Sequence, residues 1–124
     1  MDDGTRAAAD SPPVLDVRGA LKRCGDDRDL LHELLNALPE QIEEEVAGIR
    51  RDLAGGRLRD ASRRAHSLKG SCANLGAVRL AGDLAVLDAA LKSGAAAACE
   101  ALLPDLERTA AETCRMCGTV VKQA

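Results

Sequence analysis

The 124-residue chain contains no phenylalanine, tyrosine or tryptophan. Unpaired bases therefore have no aromatic platform to stack on, and a formal net charge of −3 offers no general attraction to phosphate backbones. Together these absences exclude a general nucleic-acid binder. No apolar run approaches the roughly 20 residues of a membrane span. The segment Met1–Asp10 is small and polar and does not read as a signal peptide. Disulfide pairing is also disfavoured, because the five cysteines are an odd number in a chain that reads as leaderless. They fit thiols kept reduced in a cytoplasm, so a cytoplasmic protein with no membrane partner is expected.

The core must then be built from Leu, Ala, Val, Ile, Met and Cys. Leu and Ala are strong helix formers, whereas the β-forming Val, Ile and Thr are thinly spread. An all-α fold follows, and the abundant alanine lets helices approach closely. Residues 1–13, ending in Ser11-Pro12-Pro13, read as a flexible tail or linker, and residues 14–124 as one domain. A short helix is expected over Val14–Cys24, weakened by Gly19 and stopped at Gly25. The second helix opens at Asp26-Asp27-Arg28-Asp29 and carries Leu31, Leu35, Leu38, Ile42, Val46, Ile49 and Leu53 at spacings of three and four. Pro39 should kink or divide it before Gly55-Gly56 ends it.

The third helix runs from about Arg57 to Leu75 and is capped by Gly76. The fourth presents Leu80, Leu84, Leu87 and Leu91. The fifth, Ala95–Val121, presents Cys99, Leu102, Leu106, Ala110, Cys114 and Cys117, with a kink expected at Pro104. Short links between long amphipathic helices predict an antiparallel up-down four-helix bundle with a short additional N-terminal helix.

One residue of the third helix departs from its pattern. At 100° per residue, Leu58, Ala61, Ala65, Leu68, Cys72 and Leu75 fall in one arc about 80° wide. His66 lies about 130° from the centre of that arc, on the rim or in solvent. Gly70, one turn later, sits on the same exposed face, although glycine inside a helix costs about 1 kcal/mol relative to alanine. A glycine beside an exposed imidazole implies that something must come close to it. Five cations, Arg57, Arg59, Arg63, Arg64 and Lys69, stand against the single carboxylate of Asp60 in this stretch. A basic face around a neutral, nucleophilic imidazole suits a phosphoryl group and an acidic partner. An ordinary surface histidine on an Arg-rich helix is the competing reading of the geometry alone.

The run Ala65-His66-Ser67-Leu68-Lys69-Gly70-Ser71-Cys72-Ala73-Asn74-Leu75-Gly76-Ala77 resembles the signature of histidine-containing phosphotransfer (HPt) domains, an Ala-His-x-Leu-Lys-Gly core followed by Leu-Gly-Ala. The resemblance covers about residues 14–121. It implies a phosphorelay carrier in which His66 is the phosphoacceptor, Lys69 offsets phosphoryl charge and Gly70 leaves room for the incoming active site. The family places Gln or Glu twenty-two residues after the histidine to bind the inner ring nitrogen; that position is Asp88 here. Aspartate is one methylene shorter, so the implied contact is direct or bridged by water. The family's frequent phenylalanine late in the second helix is absent, and Leu38 is expected in that core position.

The resemblance further implies a non-enzymatic phosphocarrier without its own ATP or metal site. Its partners would be response-regulator receiver domains or a hybrid sensor histidine kinase, with Mg²⁺ held by the receiver, and a monomer is expected. The docking face would comprise Arg59, Ser62, Arg63, Lys69, Gly70 and Ala73 with part of the second helix. A helical interaction module that takes no phosphate, or the histidine-bearing domain of a chemotaxis-type kinase, are the alternative readings. Cys114-Arg115-Met116-Cys117 lacks two further zinc ligands and fits the core stripe of its helix. His32 reads as a flank residue, and Glu43-Glu44-Glu45 as a solvated face balanced by Arg50 and Arg51.

Overall fold

The computed structural model describes residues 12–123. Five helices account for nearly all of them: α1 (Val17–Arg23), α2 (Arg28–Ala54), α3 (Leu58–Asn74), α4 (Val78–Lys92) and α5 (Ala96–Lys122). There is no strand among the described residues. Helices α2 to α5 form a closed ring in chain order, α3 packing between α2 and α4 and α5 closing the ring against α4 and α2. This is the expected up-down bundle with a short helix added at its N-terminal end.

The core follows the apolar spacing. Leu35, Leu38, Ile42 and Ile49 from α2 meet Leu68 and Cys72 from α3, Leu80, Leu84 and Leu87 from α4, and Leu106 and Cys117 from α5. Leu38 is buried, in the position where an aromatic was absent. Ala61 and Ala65 are fully buried on α3 and leave room for the neighbouring helix backbones. Full burial of one such leucine stabilises the fold by about 2 kcal/mol, so the stripe rather than local propensity holds the helices.

The helix ends explain the chain's path. Asp16 caps α1 by accepting from the Gly19 N–H at 3.0 Å, and Asp27 caps α2 by accepting from the Leu30 N–H at 3.0 Å. Helix α1 therefore starts at Val17, three residues after the predicted Val14. The turn from α3 to α4 passes through Gly76 at φ +83°, where a Cβ would run into the Asp16 carbonyl oxygen. Asp16 N–H donates to the Gly76 carbonyl at 2.7 Å, so the segment before α1 is fastened onto this turn.

Two expectations, the division at Pro39 and the stripe of α5, need correction. Pro39 does not divide α2, which is continuous from Arg28 to Ala54. A proline removes one backbone donor, and packing of both flanking turns against the core sustains the helix across that loss. Of the expected tail, residues 1–11 lie outside the described residues, and the Pro12 carbonyl accepts from the Arg79 guanidinium at 2.9 and 3.1 Å. The stripe of α5 is also broader than predicted. Leu103, Thr109 and Thr113 are buried, whereas Leu102 and Cys114 lie at its edge. Thr113 can be buried because its hydroxyl donates to the Thr109 carbonyl of its own helix at 2.7 Å.

Candidate functional site

Helix α3 presents His66 to solvent at mid-length, between the buried Ala65 and Leu68 that fix its rotation. Arg59, Arg63, Ser67, Gly70 and Ala73 are exposed on the same helix, and Lys69 is half-buried. A Cβ built on Gly70 would meet nothing within 4 Å. Within the chain the glycine therefore relieves no crowding, and the space above it is open. No hydrogen bond or ion pair engages the side chains of His66 or Lys69 among the described residues.

The cations divide into three groups. Arg64 turns toward α2, where its guanidinium donates to Asp52 Oδ2 at 2.9 Å and Glu45 Oε1 at 2.8 Å. Arg57 donates to Asp52 Oδ1 at 3.3 Å. Burial pushes the Asp52 carboxyl up, but hydrogen bonds from Arg64 and Arg57 and then their charges outweigh it and hold the group below the usual carboxylate range. Arg63 is loosely paired with Asp60 at 3.3 Å and remains largely exposed. Arg59 and Lys69 have no ion-pair partner among the described residues. The basic face is thus smaller than the sequence suggested, because two of its five cations bind α2.

On the α4 side, Asp88 is buried at the seam with α3. Its Oδ1 accepts from the Ser62 hydroxyl at 2.5 Å and its Oδ2 pairs with Lys92 at 3.2 Å. Neither oxygen bonds the His66 ring. Burial raises the Asp88 carboxyl, yet the hydrogen bonds from Ser62 and Lys92 and the charges of Lys92 and His66 leave it below its ordinary value. Ser62, expected to face a partner, instead turns toward α4.

On the other side of α3, Gln41 of α2 donates to the Ser71 hydroxyl at 3.0 Å. Beside this bond lies a shallow notch of about 200 Å³ walled by Leu34, Ala37, Leu38, Gln41, Ser71, Asn74 and Leu75. The part of α2 that borders the histidine-bearing face is thereby defined. Gln41 was not singled out from the sequence, since a polar residue at a helix seam has no local signature. Lys92 could have been found as an i,i+4 partner of Asp88.

The remaining candidates fall away from this face. Burial pushes the Cys117 thiol up to about 11 and Cys72 up to about 12, and all five cysteines are free. The Cys-x-x-Cys pair accordingly belongs to the α5 stripe. No group of three or more His, Cys, Asp or Glu side chains could hold a metal ion among the described residues. Arg50 does not balance the Glu43-Glu44-Glu45 run but pairs across the bundle with Glu107 at 2.6 Å, while Glu45 takes Arg64. No helix among the described residues is long and apolar enough to cross a membrane.

The Hpt domain family model matches residues 28–116, from the start of α2 well into α5. Among solved structures, the chain is similar to histidine-containing phosphotransfer protein B (HptB) from Pseudomonas aeruginosa PAO1. That match covers 92% of this chain and 99% of the other, with a TM-score of 0.83 and 27% identity. No curated protein matches the chain.

Proposed function

The chain belongs to the Hpt domain family, and from that premise we propose that His66 is the residue that carries the phosphoryl group in its two-component phosphorelay. The observation that supports this reading most directly is an exposed imidazole on α3, in the run Ala65-His66-Ser67-Leu68-Lys69-Gly70, with open space above Gly70. The neutral ring would attack phosphorus with the lone pair of its outer nitrogen while the P–O bond to the receiver's aspartate breaks, the carboxylate leaves with the electron pair and the inner nitrogen keeps its proton. Lys69 supplies a positive charge near the phosphoryl oxygens, and Asp88 a negative one on the inner side of the ring.

Hpt domains are phosphocarriers rather than classical enzymes. In this reading the partner is a receiver domain, alone or within a hybrid kinase, and it brings both the reacting aspartate and the Mg²⁺ that neutralises developing charge. It docks over Arg59, Arg63, Lys69, Gly70 and Ala73, together with the Ala37–Gln41 stretch of α2. The protein works in the cytoplasm as a monomer that shuttles between such partners.

The test is to mix the protein with phosphorylated receiver domains and Mg²⁺ and follow acid-labile, base-stable phosphate. Wild type should be labelled and His66→Ala should not. Label that persists on His66→Ala would move the acceptor elsewhere; a well-folded wild type that takes no label from any receiver would favour an interaction module.

A further inference from the structure

Asp88 is out of keeping with its helix. The other buried residues of α4 are leucines, and Asp88 is only 4% exposed among them. A carboxylate there loses hydration that leucine would not need to lose, and it must recover that free energy from bonds. It has two, one on each oxygen and from different helices: Ser62 of α3 at 2.5 Å and Lys92 of α4 at 3.2 Å. Ser62 stands one helical turn before His66 on α3. The short bond to Ser62 therefore brings the carboxylate up against α3 within about a turn of the imidazole.

We propose that Ser62 is a positioning residue, holding Asp88 beside His66 so that its charge fixes which ring nitrogen of His66 carries the proton. The inference rests on the phosphotransfer reading and deepens it. Because no bond joins Asp88 to the ring, the carboxylate acts through space or through a bridging water, and its location matters more than its mere presence. A negative charge on the inner side favours the tautomer with its N–H inward and leaves the outer lone pair free to attack. Other charged groups stand on the helices around the ring. Arg59 and Arg63 lie on the exposed rows of α3, Lys69 lies three residues on, Lys92 is bound to Asp88, Glu45 of α2 is bound to Arg64, and Glu44 is exposed.

Two readouts test this without a receiver. The first is the tautomer ratio of His66 in the unphosphorylated, ¹⁵N-labelled protein, from its imidazole nitrogen shifts. Ser62→Ala and Asp88→Asn should move that ratio by about tenfold toward free imidazole, the equivalent of one pKa unit of differential interaction. Ser62→Thr, which keeps the hydroxyl, should restore it.

The second readout is phosphorylation by phosphoramidate. The outer nitrogen attacks phosphorus, the P–N bond of the N-protonated donor breaks, and ammonia leaves with the electron pair while the inner N–H stays in place. Ser62→Ala should react about tenfold more slowly and Ser62→Thr at nearly the wild-type rate. No partner docks in this reaction, so a docking role for Ser62 would leave the rate unchanged. A tautomer ratio that stays at the wild-type value in Ser62→Ala overturns the proposal, whether or not Asp88→Asn shifts it and whatever receivers do. A shifted ratio supports it even in a chain that receives no phosphate from any receiver, which would sink the relay reading alone.

Discussion

Gly48 and Gly70 both lie inside long helices, and each gives up about 1 kcal/mol of helix propensity relative to alanine. Their surroundings are opposite. Gly48 is buried on α2, and a Cβ there would come within 2.5 Å of the Arg64 guanidinium carbon that crosses it on the way to Asp52 and Glu45. Gly70 is exposed on α3 with nothing within 4 Å of the same construction. The chain's own packing accounts for the first glycine and leaves the second without an internal reason. The space above Gly70 is open, and on the phosphotransfer reading it is where a partner would approach His66.

The sharpest way to break this contrast is to fill the void. Gly70→Gln should lower the rate of phosphoryl transfer from a receiver by at least about tenfold without lowering the thermal midpoint. Unchanged transfer, measured with the same phosphorylated receiver, would mean that the space above Gly70 is not where the partner sits. Around Gly48 the largest effect should come from the carboxylate that anchors Arg64. Asp52→Asn should cost on the order of 2 kcal/mol at neutral pH, since it weakens two charged donor contacts, from Arg57 and Arg64, to a buried group.

That loss has a definite pH signature. The folded-state pKa of Asp52 lies below its ordinary value of 3.8, so its contribution is complete above that value. It disappears as pH falls through the lower, folded value. Denaturation of wild type and Asp52→Asn should therefore differ by a constant amount from pH 7 to about pH 5 and converge below pH 4. A gap that persisted into strong acid would assign the effect to packing instead of charge. The smallest expected effects separate the two glycines directly. Gly70→Ala should stabilise the chain by about 1 kcal/mol, whereas Gly48→Ala should gain less, because its methyl displaces Arg64 from two carboxylates. Equal gains by denaturant titration would erase the distinction.

Much of this architecture was legible in the spacing of apolar residues. Ala61, Ala65, Leu68 and Cys72 recur at three and four and are all buried, and the same wheel put His66 outside. The role proposed for the histidine came from the His66-Ser67-Leu68-Lys69-Gly70 run, not from periodicity. What sequence could not supply was the register between helices. Arg64 sits among four other cations, and nothing local says that it alone crosses Gly48 to reach Asp52 and Glu45. Ser62 and Asp88 are 26 residues apart, and their bond exists only because α3 and α4 pack at one particular offset. Thr109 and Thr113 were missed for a different reason. Polar residues are read as outward-facing, yet the Thr113 hydroxyl is satisfied by its own helix and needs no water.

Helix α3 lies between α2 and α4 and shows the rest of its surface outward, so His66 stands on a ridge and not in a cleft. A reactive atom on a ridge has no walls of its own. Whatever dryness the exchange requires must arrive with the visitor and depart with it. Between visits an N–P bond formed at that ring would be bathed in bulk water, where hydrolysis runs as a clock. On the phosphotransfer reading, the time a message survives in transit would then be set by the solvent, and its reach by how far the carrier moves before that clock runs out.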